Sequence, residues 1–274
     1  MAPACHILRS ATTGVMVTAV SRLATVPTAL PVGRWTSPSV ADMGAETTPA
    51  NAAAGRGRPR LTRPRRPGTT AREQILDAAA ELFTNHGYAS TSTRRIADEV
   101  GVRQASLYHH FATKDDILDA LLAGTVDEAL RLGAELLDGA GPAAQRLHTL
   151  AVADAHQLCT GRWNLGALYL LPELRTDRFQ PFRQRRAELR DVYRRLSAAV
   201  IDECQGPSDA ADLPFRLVES VVNTRSDDIE STPAQPWVIA EAALRILGFD
   251  GDFRPLATTT AARLGVRPPK SSAR

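Results

Sequence analysis

The sequence predicts an all-α protein in which a small three-helix N-terminal domain precedes a larger helical domain. From residue 69 onwards, apolar residues recur at intervals of three and four, the period of a helix with one buried face. Glycine and proline separate these stretches, and none of them alternates convincingly with the two-residue period of a strand. At 274 residues the chain is long enough to bury the cores of two folded units.

Residues 1–68 have no sustained apolar period and are rich in Ala, Thr, Pro and Gly, so we expect them to be disordered. The net charge is only +3, but seven arginines and no acidic residue stand between Arg56 and Arg72. Interleaved prolines and glycines predict that this stretch is an extended cationic arm. Met43 begins what resembles a short N-terminal tail and is a candidate start of translation, with translation of residues 1–42 as the alternative. A secretory signal in "VMVTAVSRLATVPTAL" is disfavoured because Arg22 interrupts the apolar run.

The first predicted helix spans "AREQILDAAAELFTNHG". Thr69 or Thr70 can act as its N-cap, and Gly87 provides the stop. The apolar positions fall on one face of this helix; they are Ile75, Leu76, Ala79, Leu82 and Phe83. We therefore expect one face of the helix to be buried against the rest of its domain.

Two short helices follow. In "STSTRRIADEVGV" the expected cap is Thr91 or Ser92, and Gly101 ends the helix. About three residues later "QASLYHHF" opens another helix, in which Leu107 and Phe111 lie four positions apart and point inward. The residues left facing outward are Gln104, Ala105, Tyr108 and His109. Two short helices joined by a glycine turn and packed on a longer helix form a helix-turn-helix, which offers its second helix to the major groove of DNA.

The rest of the chain predicts further helices, separated by stretches rich in glycine and proline. A fourth helix over 113–138 is capped by Thr113, has Asp115 and Asp116 in its first turn, and ends at "GAGP". Further helices are expected at 143–159, 164–171, 181–204, 214–225 and 236–248. The predicted domains are 69–122 for the helix-turn-helix domain and 123–250 for the C-terminal domain, with a flexible tail at 251–274.

The stretch "TSTRRIADEVGVRQASLYHHFATKDDILDALL" resembles the DNA-binding segment of the TetR family of bacterial transcriptional repressors. The resemblance covers about residues 70–122 and includes the first helix, "IADEVGV", "LYHHF" and the "KDDIL" helix start in the same order. It implies that double-stranded operator DNA is the partner. It also implies base reading by Arg94, Gln104, Ala105, Tyr108 and His109, with phosphates positioned by Thr93, Ser106, His110 and Lys114.

One position departs from the family pattern. Arg103 stands where many members have Ser, so the third helix loses an N-cap and gains a cation beside DNA. By analogy with basic arms that follow the minor groove, we expect the cationic arm to add Arg60, Arg63, Arg65 and Arg66 to DNA affinity.

The resemblance further implies a C-terminal domain that binds an unknown small-molecule effector and forms a homodimer through its last two helices. The side chains expected to line the effector pocket are His148, His156, Trp163, Tyr169 and Phe182, with ordinary core packing as the alternative. The residues expected at the dimer interface are Leu217, Val218, Val221, Trp237, Ala240 and Leu244. Repression is the expected mode of control, and activation or effector-independent DNA coating by the same helices are the alternatives.

Other classes of site are disfavoured. His109 and His110 are adjacent on a short helix and point about 100° apart, so one metal ion cannot easily accept both. The sequence contains no phosphate-binding glycine loop, nucleophile elbow or HExxH motif, and we expect neither enzymatic activity nor a cofactor. Three scattered cysteines and the lack of a long apolar run favour a cytoplasmic protein without a membrane span. The resemblance to bacterial repressors implies that it is associated with the nucleoid.

Overall fold

A computed structural model describes residues 66–227 and 231–268, and all regular structure within these ranges is helical. The described residues contain nine α-helices, which in chain order are α1 (Ala71–His86), α2 (Thr93–Val100), α3 (Gln104–Tyr108), α4 (Lys114–Leu137), α5 (Ala143–Thr160), α6 (Gln180–Cys204), α7 (Leu213–Ser226), α8 (Gln235–Ile246) and α9 (Phe253–Leu264). Four short 3-10 helices lie between α5 and α7. The predicted all-α fold is confirmed.

Helices α1 to α3 form the predicted helix-turn-helix domain. The hydroxyl of Thr70 accepts the N–H of Glu73, whose carboxylate accepts the N–H of Thr70, so a capping box starts α1. The C-cap Gly101 has φ 74°, the left-handed conformation that glycine adopts without strain, and it turns the chain from α2 towards α3. Leu107 and Phe111 are buried as predicted, and this packing orients the outer face of α3.

Helix α4 connects the helix-turn-helix domain to the C-terminal helices. It is continuous across residue 122, the predicted domain boundary, and it packs on both α1 and α6. Helix α5 lies at the centre of the C-terminal domain and contacts α4, α6, α7, α8 and α9. Its Leu147, Leu150 and Ala151 are fully buried. The DNA-binding helices are therefore mounted on α4, whose far end is part of the C-terminal core.

Two expectations about the C-terminal region are wrong. Residues 251–274 were expected to be a flexible tail, but α9 lies within them and packs on α5 through Leu256, Thr260 and Leu264. Its three threonines weaken the apolar pattern, although Asp252 caps its start and Gly265 ends it. The helix expected at 164–171 is a short 3-10 helix, Leu165–Leu170.

The expected dimer-interface residues lie inside the monomer. Val218, Val221, Trp237, Ala240 and Leu244 are each at most 3% exposed, and Leu217 is half-buried. The apolar stripes of α7 and α8 pack against α5 and against each other, so the partner that they need is supplied by the same chain. A subunit interface formed by these two helices must use their other faces.

The disordered tail, the start at Met43 and most of the cationic arm were predicted for residues that lie outside the described ranges. Of the helices within those ranges, none combines the length and the apolar character that crossing a bilayer requires.

Candidate nucleic-acid interface

Three polar side chains at the surface of α2 and α3 are hydrogen-bonded to one another; Gln104 and Tyr108 are exposed and Thr93 is partly exposed. The Gln104 amide nitrogen donates to the Thr93 hydroxyl at 3.1 Å and to the Tyr108 hydroxyl at 3.2 Å. The two hydroxyls lie 3.1 Å apart and complete the triangle. We call Thr93, Gln104 and Tyr108 the reading cluster. The Tyr108 side chain is 47% exposed, so its ring and hydroxyl are accessible to a partner.

The other predicted DNA-contacting residues of α2 and α3 surround the reading cluster. The members that are exposed to solvent are Arg94, Arg103, Ala105, Ser106, His109 and His110. Arg94 is only loosely held, because its nearest carboxylate, that of Asp98, is 4.0 Å away. Arg103 is the N-cap of α3 and makes no side-chain capping bond, as expected from the missing Ser. The surface thus offers exposed cations around a small hydrogen-bonding and aromatic centre.

Lys114 has a different surrounding from the one expected for a phosphate contact. Its ammonium donates to the backbone carbonyl oxygens of Tyr88 and Thr91 at 2.9 and 3.0 Å, and it lies 4.1 Å from the centre of the Tyr88 ring. It therefore fastens the start of α4 to the loop between α1 and α2. The side chain stabilises the domain and is already engaged before DNA approaches.

Arg66, the part of the cationic arm where the structure begins, does not extend towards DNA. Its side chain is 7% exposed and pairs with Asp77 at 3.0 Å, with Glu81 at 2.7 Å and with Glu99 at 2.7 Å. The expectation that Arg66 binds DNA is wrong, because three carboxylates already neutralise and surround it. Arg60, Arg63 and Arg65 precede the described residues.

The sequence patterns missed a polar junction between the helix-turn-helix domain and the C-terminal domain. Asp77 of α1 accepts from Arg66, from Arg162 at 2.9 Å and from the indole N–H of Trp163 at 3.1 Å. Arg162 and Trp163 belong to the loop that follows α5. We call these four residues the Asp77 junction. Asp77 lies on the side of α1 opposite the apolar stripe, so helical periodicity gave no signal of the junction.

The five side chains expected to line one effector pocket are separated in the structure. Trp163 lines a cavity beside α1, Tyr169 and Phe182 line a second cleft, and His156 lines a third. His148 is fully buried, with its Nδ1 2.8 Å from the Thr260 hydroxyl, and burial lowers its pKa to about 4. It is therefore a neutral core residue.

Comparisons with known proteins identify relatives of both domains. The family model described as bacterial regulatory proteins, tetR family, matches residues 75–121, which include the reading cluster. The crystal structure of AmtR from Mycobacterium smegmatis is 78% identical in sequence and covers 76% of this chain and 100% of its own, with a TM-score of 0.74.

More distant relatives are named regulators. The HTH-type transcriptional repressor KstR2 of Mycobacterium tuberculosis is 37% identical over 83 residues, which are 30% of this chain and 42% of the repressor. The chain thus spans about two-fifths of that relative. The fatty acid metabolism regulator protein of Bacillus subtilis is 26% identical over 167 residues, which are 61% of this chain and 82% of that protein. The match to the family model and the relationship over the whole length of AmtR lead to one conclusion: the chain belongs to the TetR family of bacterial regulatory proteins.

Proposed function

We propose that the protein is a sequence-specific DNA-binding transcriptional repressor that acts as a homodimer on a palindromic operator and responds to a small-molecule effector. The observation that carries the proposal is the reading cluster, in which exposed groups of α2 and α3 are already oriented by their own hydrogen bonds. Preorganised side chains lose less conformational entropy when they bind. The repressor relatives and the helix-turn-helix geometry support the same function.

The chemistry of α3 suits the major groove. A glutamine amide pairs with both the N6 and N7 positions of adenine, and an aromatic ring or a methyl group packs on the thymine methyl. Gln104 makes this pair by giving up one of its two N–H bonds within the reading cluster. Gln104, Ala105 and Tyr108 supply these groups on the exposed face of α3. Arg94 and Arg103 add positive charge at the edges, where the sugar-phosphate backbone passes. We therefore assign base reading to α3 and backbone contacts mainly to the exposed arginines.

Helix α8 offers an apolar face for a second copy of the chain. Val238, Ala242 and Ile246 follow each other at intervals of four residues and so lie along one side of α8. Val238 is 59% exposed, and Ala242 and Ile246 are partly exposed. This stripe points away from the buried face of Trp237, Ala240 and Leu244. Pairing two stripes around a two-fold axis buries both and gives the dimer that a palindromic operator requires.

DNA selection tests the reading role. Full-length protein selects its preferred duplex from a random library, and gel-shift titration then compares variants on that duplex. We expect Gln104→Ala to weaken binding about tenfold and to lose preference at one base pair of each half-site. Gln184→Ala, on the exposed surface of α6, is the matched control and leaves affinity unchanged. If Gln104→Ala binds the same sequences with wild-type affinity, α3 does not read the bases.

Light scattering tests the dimer. Val238→Glu introduces a carboxylate on the α8 stripe and is expected to yield monomers. Leu170→Glu alters a more exposed apolar side chain, 84% exposed, on a different element and should leave the dimer intact. A dimeric Val238→Glu protein would exclude this face as the interface.

A further inference from the structure

A cavity of about 420 Å³ lies between α1 and the C-terminal domain. Its walls come from both domains: Gly68, Asp77 and Ala80 on the α1 side, Ala120 and Gly124 on α4, and the loop after α5. Arg225 of α7 closes it. The volume is within the range of about 300–1,000 Å³ that holds small organic molecules. Whatever fills this cavity contacts the helix-turn-helix domain directly.

The acidic groups of the cavity wall already accept hydrogen bonds. The carboxylate of Glu73 accepts the backbone N–H groups of Thr69 and Thr70 as part of the α1 capping box. The carboxylate of Asp77 accepts from Arg66, Arg162 and Trp163. Neither carboxylate is therefore available to attract a cationic ligand without giving up existing bonds.

Among the residues that the structure describes, Arg225 is the cation of the wall without an acidic partner. Its guanidinium donates to the carbonyl oxygens of Leu158 and Gly161, at 2.5 and 2.6 Å, and no carboxylate of the described residues forms an ion pair with it. It is half-buried, and burial lowers its pKa because the charged form loses hydration. Carbonyl oxygens satisfy its N–H groups but do not neutralise its charge. An anion entering the cavity would do so.

We propose that this cavity is the effector site and that it takes a small amphipathic anion, with an apolar body against Ala120, Leu121 and Trp163 and an acidic group at Arg225. The proposal rests on the effector response proposed above and names its chemistry. Most of the remaining wall is apolar or backbone, which suits a hydrophobic body. Arg162, whose guanidinium pairs with Asp77, lines the same cavity.

The position of the cavity also supplies a route to DNA release. Arg162 pairs with Asp77 across the domain junction, and its side chain is 52% exposed, so it can exchange partners. An anion that draws Arg162 away removes one bond that holds α1 in its present pose. We consider two poses of α1, one with the Arg162–Asp77 pair and one without it. A ligand shifts the equilibrium between them only by its preference for one of the two. The bound anion therefore favours the pose without the Arg162–Asp77 pair and lowers operator affinity.

Two fluorescent probes with the same rings test the site. 8-Anilinonaphthalene-1-sulfonate carries an anionic group, and N-phenyl-1-naphthylamine lacks it. In titrations of full-length protein, we expect Arg225→Gln to weaken binding of the sulfonate at least tenfold and to leave the neutral probe unchanged. Arg195→Gln, on the exposed surface of α6, should affect neither probe. Equal effects of Arg225→Gln and Arg195→Gln on the sulfonate would overturn the anion site.

A cavity-filling variant tests the location and keeps the charge. Ala120→Phe places a ring within the cavity and is expected to weaken binding of both probes, whereas wild-type probe affinity in this variant would overturn the cavity as the site. The sulfonate should also lower the affinity of wild-type protein for its selected duplex at least fivefold, and an unchanged affinity would overturn the release mechanism. Affinity for that duplex without probe measures the proposed repressor function separately, so failure of one proposal is distinguishable from failure of the other.

Discussion

The reading cluster and the Asp77 junction are both built from bonded polar side chains, but water reaches them differently. Tyr108 in the reading cluster is 47% exposed, whereas Asp77 is 9% exposed. Exposed hydrogen bonds replace bonds to water and add little to folding stability. A buried polar group that loses its partner keeps its desolvation cost. The reading cluster is therefore available for recognition, and the junction is part of what holds the domains together.

Removing the junction carboxylate should give the largest loss of stability. Asp77→Ala leaves the Trp163 indole N–H and part of the buried Arg66 guanidinium without their acceptor, and we expect the free energy of unfolding to fall by about 2–3 kcal/mol. Urea unfolding followed by circular dichroism measures it. Asp98→Ala removes an exposed carboxylate of α2 and serves as the control, with a change below about 0.5 kcal/mol. Equal changes in the two variants would contradict the structural role of the junction.

In the reading cluster we expect the reverse of the Asp77 junction: a substitution should weaken DNA binding and leave folding stability almost unchanged. Tyr108→Ala should weaken binding to the selected duplex by about 1–2 kcal/mol, because a ring and a hydroxyl facing the groove are lost. Its free energy of unfolding should change by less than about 0.5 kcal/mol, since the side chain is exposed. Gel-shift titration and urea unfolding of the same preparation report the two quantities. A loss of stability as large as that of Asp77→Ala would remove the distinction between the regions.

The two regions also differ in how far the sequence could predict them. Gln104 and Tyr108 are four positions apart on one helix, so helical periodicity alone places them side by side. Arg162 and Asp77 are 85 positions apart, and no local period connects them. Composition assigned Arg66 to a DNA-binding arm, yet tertiary packing surrounds it with acids. Likewise, the apolar stripes of α7 and α8 were correctly predicted. An apolar stripe indicates that a face is buried, but it does not indicate whether the same chain or a second subunit covers that face.

A second buried carboxylate lacks the ion pairs of the junction. Asp154 of α5 is held by the Tyr193 hydroxyl at 2.9 Å, and burial raises its pKa to about 7. Its folded pKa lies above its unfolded value of about 3.9, so its contribution to stability is complete below pH of about 4 and is lost as pH rises through 7. We expect Asp154→Asn to raise the free energy of unfolding by about 1 kcal/mol at pH 8 and by less at pH 5. An equal change at both pH values in urea titrations would contradict this assignment.

Arg103 is the position where recognition and local stability compete most directly. It holds the extended N-cap conformation of α3, φ −72° and ψ 144°, without a capping bond, and α3 has only five residues. In Arg103→Ser the hydroxyl can accept a backbone N–H of the first turn, which should raise the free energy of unfolding by about 0.5 kcal/mol. The same change removes a cation from the DNA side, so the slope of log affinity against log salt should become shallower by about one.

Gel-shift titrations of the Arg103→Ser protein at several salt concentrations measure the slope, and urea unfolding measures the change in the free energy of unfolding. Arg195→Ser is the control for losing an exposed arginine. An unchanged slope would mean that Arg103 does not neutralise a phosphate, and a loss of stability would mean that the serine does not cap α3.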